Sequence, residues 1–166
     1  MGRKVIALLG SPLPDGNTAR LLDEAIRGAE EAGCDVERIV AAHLDIAPCM
    51  EIFYCQENES CEIRDEMIGI YDKFREMDSL IIATPVMTMG IPGRLKSFMD
   101  RFQVFYMAKY HRGRSFISPE QRRRRKMLFI SIAGMNLPTV FEGAKMTAKA
   151  FGEIIDCPYW DEVLRN

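Results

Sequence analysis

Short apolar runs recur along the chain at intervals that suit the strands of one sheet. Lys4–Leu9, Ser79–Ala83 and Lys126–Ile132 are mostly apolar, which is typical of strands that are buried on both faces. Asp35–Val40 is a weaker run of the same kind, and Pro158–Leu164 alternates less regularly. The pattern therefore predicts five strands.

Apolar residues at helical spacing occupy four of the intervals around these runs. Their predicted buried stripes are Leu22, Ala25, Ile26 and Ala29; Met67, Ile70, Tyr71 and Phe74; Leu95, Phe98, Met99 and Phe102; and Ala144, Ala148, Phe151 and Ile155. Gly33 is expected to end the first helix, and Asp65 to cap the second. Thr139 and Glu142 have the spacing of a capping box, which predicts the start of the fourth helix.

Strands that alternate with helices imply right-handed crossovers and a parallel sheet. We expect residues 1–166 to form one α/β domain with a doubly wound, five-stranded parallel sheet. Ligands bind such sheets beyond the carboxyl ends of the strands, where the strand order reverses. The loops Gly10–Thr18, Thr84–Pro92 and Ala133–Pro138 follow strands one, three and four, so they are the candidate binding loops.

Composition narrows the class of protein. The 166 residues are 48% hydrophobic and 28% charged, which is typical of a soluble globular domain. No apolar run approaches the roughly 20 residues that span a bilayer, so we expect no membrane association. The first strand leads into a polar turn rather than a cleavage site, and reduced thiols suit the five cysteines. These features predict a cytoplasmic protein.

The formal net charge of −2 is unevenly distributed. Seven basic residues lie between Tyr110 and Lys126, four of them in the run Arg122–Arg125. This run is either a solvated surface or a site for an anion or for an acidic partner. Nucleic-acid binding is not expected, because the rest of the chain is acidic and no aromatic platform accompanies the run.

The loop Gly10–Thr18 joins a buried strand to a helix N-terminus, a place that favours a bound phosphate. Ser11, Asn17 and Thr18 add neutral hydrogen-bond donors. A P-loop is excluded because Asn17, not lysine, follows Gly16. A dinucleotide fingerprint is excluded because its three glycines and its acid are lacking. From the loop alone, a phosphate site and a capped turn without ligand both remain open.

Four stretches together resemble one known family, the flavodoxin-like NAD(P)H-dependent FMN reductases, and within it the iron–sulfur flavoproteins. The stretches are Gly10-Ser11-Pro12 with Gly16-Asn17-Thr18; Pro48-Cys49 through Asp65-Glu66-Met67; Ala83-Thr84-Pro85-Val86 through Asp100-Arg101; and Ala133-Gly134. They occur in the order that the family has. The third stretch is the most specific.

The resemblance implies a flavodoxin-like fold that binds flavin mononucleotide (FMN). The implied FMN-binding residues are Ser11, Gly16, Asn17 and Thr18 at the phosphate; Pro85, Val86, Met87, Thr88, Met89 and Gly90 along the isoalloxazine edge; and Ala133 and Gly134 on the opposite side of the ring. Methionine and threonine at positions 87–89 are a departure, since family members often have aromatic residues there.

The implied activity is that of an oxidoreductase in which NAD(P)H reduces FMN and a flavin, quinone or similar small molecule accepts the electrons. If the run Arg122–Arg125 is an anion site, it would then bind the phosphates of NADPH or an acidic redox partner. No side chain is assigned a catalytic role, because the flavin N5 accepts the hydride. The alternative is a non-enzymatic electron-transfer flavoprotein, with or without an iron–sulfur cluster.

Cys49, Cys55 and Cys61 are the candidate metal ligands. The iron–sulfur flavoproteins that this segment resembles have a further cysteine where Ile52 stands, and a cubane cluster takes four thiolates. We therefore expect free thiols rather than a cluster. A cluster completed by His43, Glu51 or a small molecule, and a zinc site completed by His43, remain open alternatives.

We also expect a homodimer or a larger homo-oligomer. Only four helices are predicted, and none follows the fifth strand, so the last helix of the flavodoxin-like order is lacking. One face of strands three to five would then be open. Apolar residues such as Leu80, Ile81, Ile82 and the run Met127–Ile132 would require cover, for example from a second subunit.

Overall fold

A computed structural model describes residues 2–166 of the chain. This part contains five strands and six α-helices. In chain order they are β1 (Lys4–Leu9), α1 (Asn17–Glu31), β2 (Asp35–Val40), α2 (Met67–Glu76), β3 (Ser79–Pro85), α3 (Gly93–Asp100), α4 (Gln103–Tyr106), α5 (Pro119–Arg124), β4 (Lys126–Ile132), α6 (Glu142–Ile154) and β5 (Tyr159–Arg165). A 3-10 turn spans Tyr54–Gln56, and a π-helical turn spans Met107–His111.

The five strands form one parallel sheet in the order β2-β1-β3-β4-β5, which is the flavodoxin-like order. The prediction of a doubly wound five-stranded sheet is therefore confirmed. Leu9 of β1 pairs with Ala83 of β3, and Pro85 of β3 pairs with Ile132 of β4. This register brings the carboxyl ends of β1, β3 and β4 to one edge, with the strand-order reversal between β1 and β3.

Helices cover both faces of the sheet. On one face α1 packs Ala19 and Leu22 against Ala7, Ile81 and Ile130. On the other face the predicted stripes of α2, α3 and α6 meet in one core that is rich in aromatic rings, with Tyr71, Phe74, Phe98, Phe102, Phe105 and Phe151 in contact. No helix of residues 2–166 combines the length and the apolar character that crossing a bilayer requires.

The predicted capping box at the start of the last helix does not form. α6 begins at Glu142, and within residues 2–166 no side chain caps it. The Thr139 carbonyl, rather than its hydroxyl, accepts the Glu142 N–H at 3.1 Å. A capping box does form at α5, where the Ser118 hydroxyl accepts the Gln121 N–H and the Gln121 side chain accepts the Ser118 N–H. The sequence pattern missed both α4 and α5.

The predicted open face over strands three to five is also largely wrong. Leu80, Ile81 and Ile82 are buried, because α1 extends across β3 towards β4 on one face and the aromatic core covers the other. In the run Met127–Ile132 only Leu128 and Ile132 remain half-buried. This reason for expecting an oligomer is therefore weakened.

A buried ion pair fastens the long segment between β2 and α2 to the helices. The Arg101 side chain is fully buried and forms a bidentate pair with Asp65, with Nη2 at 3.1 Å from Oδ1. Burial favours the neutral carboxyl, but hydrogen bonds from Arg101 and from the N–H groups of Ala47 and Met67 outweigh it, so the pKa of Asp65 lies below its ordinary value. Arg101 also donates to the carbonyls of Ala47 and Ile63.

Arg101→Met should lower the free energy of unfolding by about 3–5 kcal/mol, because it leaves the largely buried Asp65 carboxylate, whose side chain is 14% exposed, without its partner. Lys96→Met is the matched control. It breaks the exposed Lys96–Asp100 pair and should cost under about 1 kcal/mol. Denaturant unfolding at pH 7 checks both values. Equal losses in the two variants would contradict the role of the buried pair.

The pKa of Asp65 adds a pH signature to the same comparison. A carboxyl whose pKa is lowered in the folded state stabilises the fold fully above its unfolded value near 3.8. That contribution disappears as the pH falls through the lower folded-state pKa. The stability difference between the unsubstituted chain and Arg101→Met should therefore be constant near neutral pH and shrink below pH 3.8.

Candidate functional site

The loop between β1 and α1 presents an uncapped helix N-terminus beside two buried hydroxyls. α1 begins directly after Gly16, and no side chain of residues 2–166 caps its first turn. Ser11 and Thr18 are only 6% and 5% exposed, whereas Asn17 is exposed. The Ser11 hydroxyl accepts the Leu13 N–H at 3.1 Å. N–H groups that lack a side-chain partner at a helix N-terminus favour an anion.

Gly10 lets this loop lie tightly against its neighbours. Its N–H donates to the Ala83 carbonyl at 2.8 Å, so the loop starts at the carboxyl end of β3. A Cβ at position 10 would lie 2.9 Å from the Thr84 hydroxyl oxygen and would overlap Leu95 of α3. The loop can approach β3 and α3 this closely only because position 10 has no side chain.

The loop after β3 ends in a tight turn. Val86 donates its N–H to Ile132 at 2.8 Å, which ties the loop to β4. Met87 and Gly90 exchange two backbone hydrogen bonds of 2.9 Å. The two residues between them, Thr88 and Met89, have left-handed backbones with φ of 50° and 61°. Such turns usually contain asparagine and glycine, so this one is strained.

The loop after β4 is the third predicted binding loop at this edge of the sheet. Ala133 is buried and donates its N–H to Arg165 at 2.9 Å, while Gly134 is exposed. Gly143 of α6 contacts the turn after β3, because a Cβ there would overlap the Met89 carbonyl. The structure thus brings all three predicted binding loops to the carboxyl edge of the sheet, and their residues stay candidate FMN ligands.

Arg38 and His43 support the first loop from outside, a role that the sequence pattern suggested for neither residue. Arg38 of β2 donates to the Pro14 carbonyl at 2.8 Å and pairs with Asp23 of α1 at 3.2 Å. His43 places its Nε2 at 3.3 Å from the Pro12 carbonyl oxygen. Nothing in the sequence could have indicated these contacts, because they depend on the pairing of β2 with β1.

The arginine run lies at the opposite edge of the sheet. Arg122–Arg125 precedes β4, whose seven residues span about 20 Å. Arg125 is buried and donates to the carbonyls of Arg75 and Ile155. Arg122 pairs with Asp156 at 2.9 Å and with Glu153 at 2.8 Å. The run is therefore neither fully solvated nor placed beside the candidate phosphate loop.

Cys49, Cys55 and Cys61 lie in the segment between β2 and α2 that the Arg101–Asp65 pair holds in place. They line a cavity of about 590 Å³. All five cysteines are free, and burial raises the pKa of Cys157, which lies elsewhere in the core, to about 12. Residues 2–166 contain no group of three His, Cys, Asp or Glu side chains placed to hold a metal ion. His43 contacts the first loop instead, while Ile52 lies at the mouth of the cavity and is 55% exposed.

Comparison with known proteins identifies relatives of the chain. Residues 3–143 match the family described as NADPH-dependent FMN reductase. An iron–sulfur flavoprotein of Methanocaldococcus jannaschii is 39% identical over 98 residues, which cover 59% of this chain and 51% of that protein. An iron–sulfur flavoprotein of Methanosarcina thermophila is 32% identical over the same shares. The match thus spans about half the length of these curated relatives.

Solved structures agree on the fold. An NAD(P)H:quinone oxidoreductase from Methanothermobacter marburgensis superposes with a TM-score of 0.70 at 16% identity, covering 99% of this chain and 83% of that one. An FMN-dependent NADH-azoreductase from Bacillus anthracis, solved with FMN, gives 0.64 at 16% identity, with coverages of 98% and 87%. These likenesses show the fold, and the match over residues 3–143 shows more: the chain belongs to the NADPH-dependent FMN reductase family.

Proposed function

We propose that the protein binds FMN at the carboxyl edge of its sheet and is an NAD(P)H-dependent oxidoreductase. The observation that carries the proposal is the uncapped start of α1 beside the buried hydroxyls of Ser11 and Thr18. A phosphate would accept hydrogen bonds from these hydroxyls and from the N–H groups of the first turn, and Asn17 would lie at the rim of the site. Gly16 keeps the helix start free of a side chain.

The other two loops would contact the flavin ring. The turn Pro85–Gly90 would run along one edge of the isoalloxazine, and Ala133 and Gly134 would lie on the opposite side of the ring. Met87 and Met89 are 45% and 42% exposed, so their thioethers can pack against an aromatic ring. Bound FMN supplies hydride acceptance from NAD(P)H and electron donation to an acceptor, while these residues hold and orient it.

We assign the acceptor to small molecules such as a flavin or a quinone. Family membership and the exposed setting of the turn and of Gly134 support this, because a substrate can reach the ring position directly. The second candidate is an electron-transfer flavoprotein without enzymatic activity. Reduction of bound FMN by NADH or NADPH, followed by turnover with a quinone, supports the enzyme; a failure to reduce it favours the carrier.

A homodimer or larger homo-oligomer remains part of the proposal, on a different basis from an open sheet face. Large apolar side chains around the candidate flavin site are exposed, namely Leu13, Met87, Met89, Met135 and Leu137. Apolar side chains gathered at one edge of a protein often mark an interface. Light scattering at micromolar concentration tests it, and a monomeric mass would contradict it.

The protein should bind FMN at least about tenfold more tightly than FAD, because the first loop, which Arg38 and His43 contact from outside, ends the site at the phosphate. Asn17→Ala combined with Thr18→Ala should weaken FMN binding by about 1–3 kcal/mol through lost hydrogen bonds. Ser118→Ala is the control, since it removes a helix cap at the opposite edge. Fluorescence titration of the unsubstituted chain and of both variants measures these affinities. Equal FMN affinity in the double variant and the control would refute the phosphate site.

Arg123→Ser combined with Arg124→Ser should leave the preference between NADPH and NADH unchanged. Both arginines are exposed, but they lie about 20 Å along β4 from the candidate flavin site. Steady-state kinetics with each nicotinamide gives the ratio of the two kcat/KM values. A severalfold loss of kcat/KM with NADPH alone would show that the arginine run binds the 2′-phosphate.

Thr88→Asn combined with Met89→Gly should raise the free energy of unfolding of the FMN-free protein by about 1–3 kcal/mol, since both residues are left-handed. Met135→Gly is the control for losing an exposed methionine from a neighbouring loop. It should lower stability slightly, because it adds freedom to the unfolded chain. Thermal unfolding distinguishes the two. A loss of stability in the turn variant would show that the turn is unstrained.

A further inference from the structure

The candidate phosphate loop contains no positively charged side chain. Gly10–Thr18 includes neither lysine nor arginine, and its one acid, Asp15, is exposed and forms no ion pair within residues 2–166. A phosphate monoester carries close to two negative charges at neutral pH. The N–H groups at the start of α1 offset only about half an elementary charge. Most of the charge of a bound phosphate is therefore left for groups outside the loop to offset.

Arg94 is an arginine that the fold places beside this loop. It is the second residue of α3, is exposed, and donates to the carbonyls of Ala42 at 3.4 Å and Leu44 at 2.5 Å. His43, which lies between these two residues, contacts the Pro12 carbonyl of the loop at 3.3 Å. The guanidinium and the loop thus contact the same three-residue segment. Because three residues span at most about 10 Å, the separation between them is on the order of 10 Å.

The start of α3 also contacts the loop directly. Leu95, the residue after Arg94, packs so closely that a Cβ at position 10 would overlap its side chain. Both α1 and α3 follow parallel strands, so both begin at the carboxyl edge, and neither has an acidic residue in its first turn. Two helix N-termini and one guanidinium therefore contribute positive potential at this edge.

The charge of Arg94 is not offset within the described chain. Arg38, the other arginine that contacts this region, pairs with Asp23 at 3.2 Å, whereas Arg94 forms no ion pair within residues 2–166. A cation in the first turn of a helix opposes the macrodipole and lowers the stability of the helix. Helix stability therefore does not explain a positive charge at this position, whereas a nearby bound anion would offset it.

We propose that Arg94 supplies the positive charge that the phosphate loop lacks and so sets the preference of the site for a phosphorylated flavin over riboflavin. Its carbonyl contacts hold the guanidinium beside the loop, so it acts on the phosphate through the electric field rather than by a direct hydrogen bond. At this separation one charge should change the affinity for a phosphate by about threefold to tenfold at low salt. The inference rests on the proposed FMN site.

The test titrates the purified chain with FMN and with riboflavin at about 10 mM ionic strength, where the Debye length is about 30 Å, and follows flavin fluorescence. Arg94→Gln should weaken FMN binding about threefold to tenfold and leave riboflavin binding unchanged, because riboflavin has the same ring and ribityl chain but no phosphate. Arg94→Lys keeps the charge and should bind FMN nearly as the unsubstituted chain does. Arg123→Gln is the control, since it removes an exposed arginine at the opposite edge and should change neither affinity.

Raising the ionic strength to about 1 M shortens the Debye length to about 3 Å, so the difference in FMN affinity between the unsubstituted chain and Arg94→Gln should largely disappear. An equal loss for FMN and riboflavin, or a loss that salt does not reduce, would show that Arg94 only holds the Ala42–Leu44 segment and would overturn the inference. Unchanged FMN affinity in Arg94→Gln would overturn it as well. If the unsubstituted chain bound FMN no more tightly than riboflavin, the phosphate site of the proposed function would fail, and this inference with it.

Discussion

The bidentate pair between Arg101 and Asp65 is the interaction on which the helical side of the molecule depends. Through it the end of α3 holds the start of α2, because Asp65 also accepts the Met67 N–H. The same carboxylate accepts the Ala47 N–H, and the Tyr71 hydroxyl donates to the Arg101 carbonyl at 3.0 Å. A buried ion pair contributes net stability only when such further hydrogen bonds offset its desolvation. Here they tie a long irregular segment to two helices.

The candidate flavin site and the cysteine cavity arise from two different constraints. At the carboxyl edge, the parallel register aligns the ends of β1, β3 and β4, so the binding loops follow from strand pairing. The cysteine cavity follows instead from the ion pair, since Arg101 both lines the cavity and fixes the segment that carries the thiols. Arg101→Met should therefore disturb the cavity more than the flavin loops, which hydrogen bonds from Gly10 and Val86 hold to the sheet.

The sequence predicted what depends on local periodicity. The bounds of Lys4–Leu9 and Lys126–Ile132 agree with the structure, because a strand buried on both faces must be apolar along its length. The bounds of Asp35–Val40 also agree, although this strand lies at the edge of the sheet and is mostly exposed. The region of α4 and α5 lacks a regular stripe, and Asp156 holds it in place by pairing with Lys109 and Arg122. Such pairs, like Arg101 with Asp65, join residues far apart in the chain and leave no periodic signal.

Backbone strain is common to the candidate flavin site and the cysteine segment. Five non-glycine residues of the described chain have positive φ, and four of them are Glu51, Phe53, Thr88 and Met89. Their side chains are exposed, so packing within the chain does not offset the strain. The fifth, Asp156, is buried and offsets its strain with three hydrogen-bonded or charged partners. Strain without internal compensation is typical of ligand sites. The same strain therefore occurs at the turn after β3, within the candidate flavin site, and in the cysteine segment.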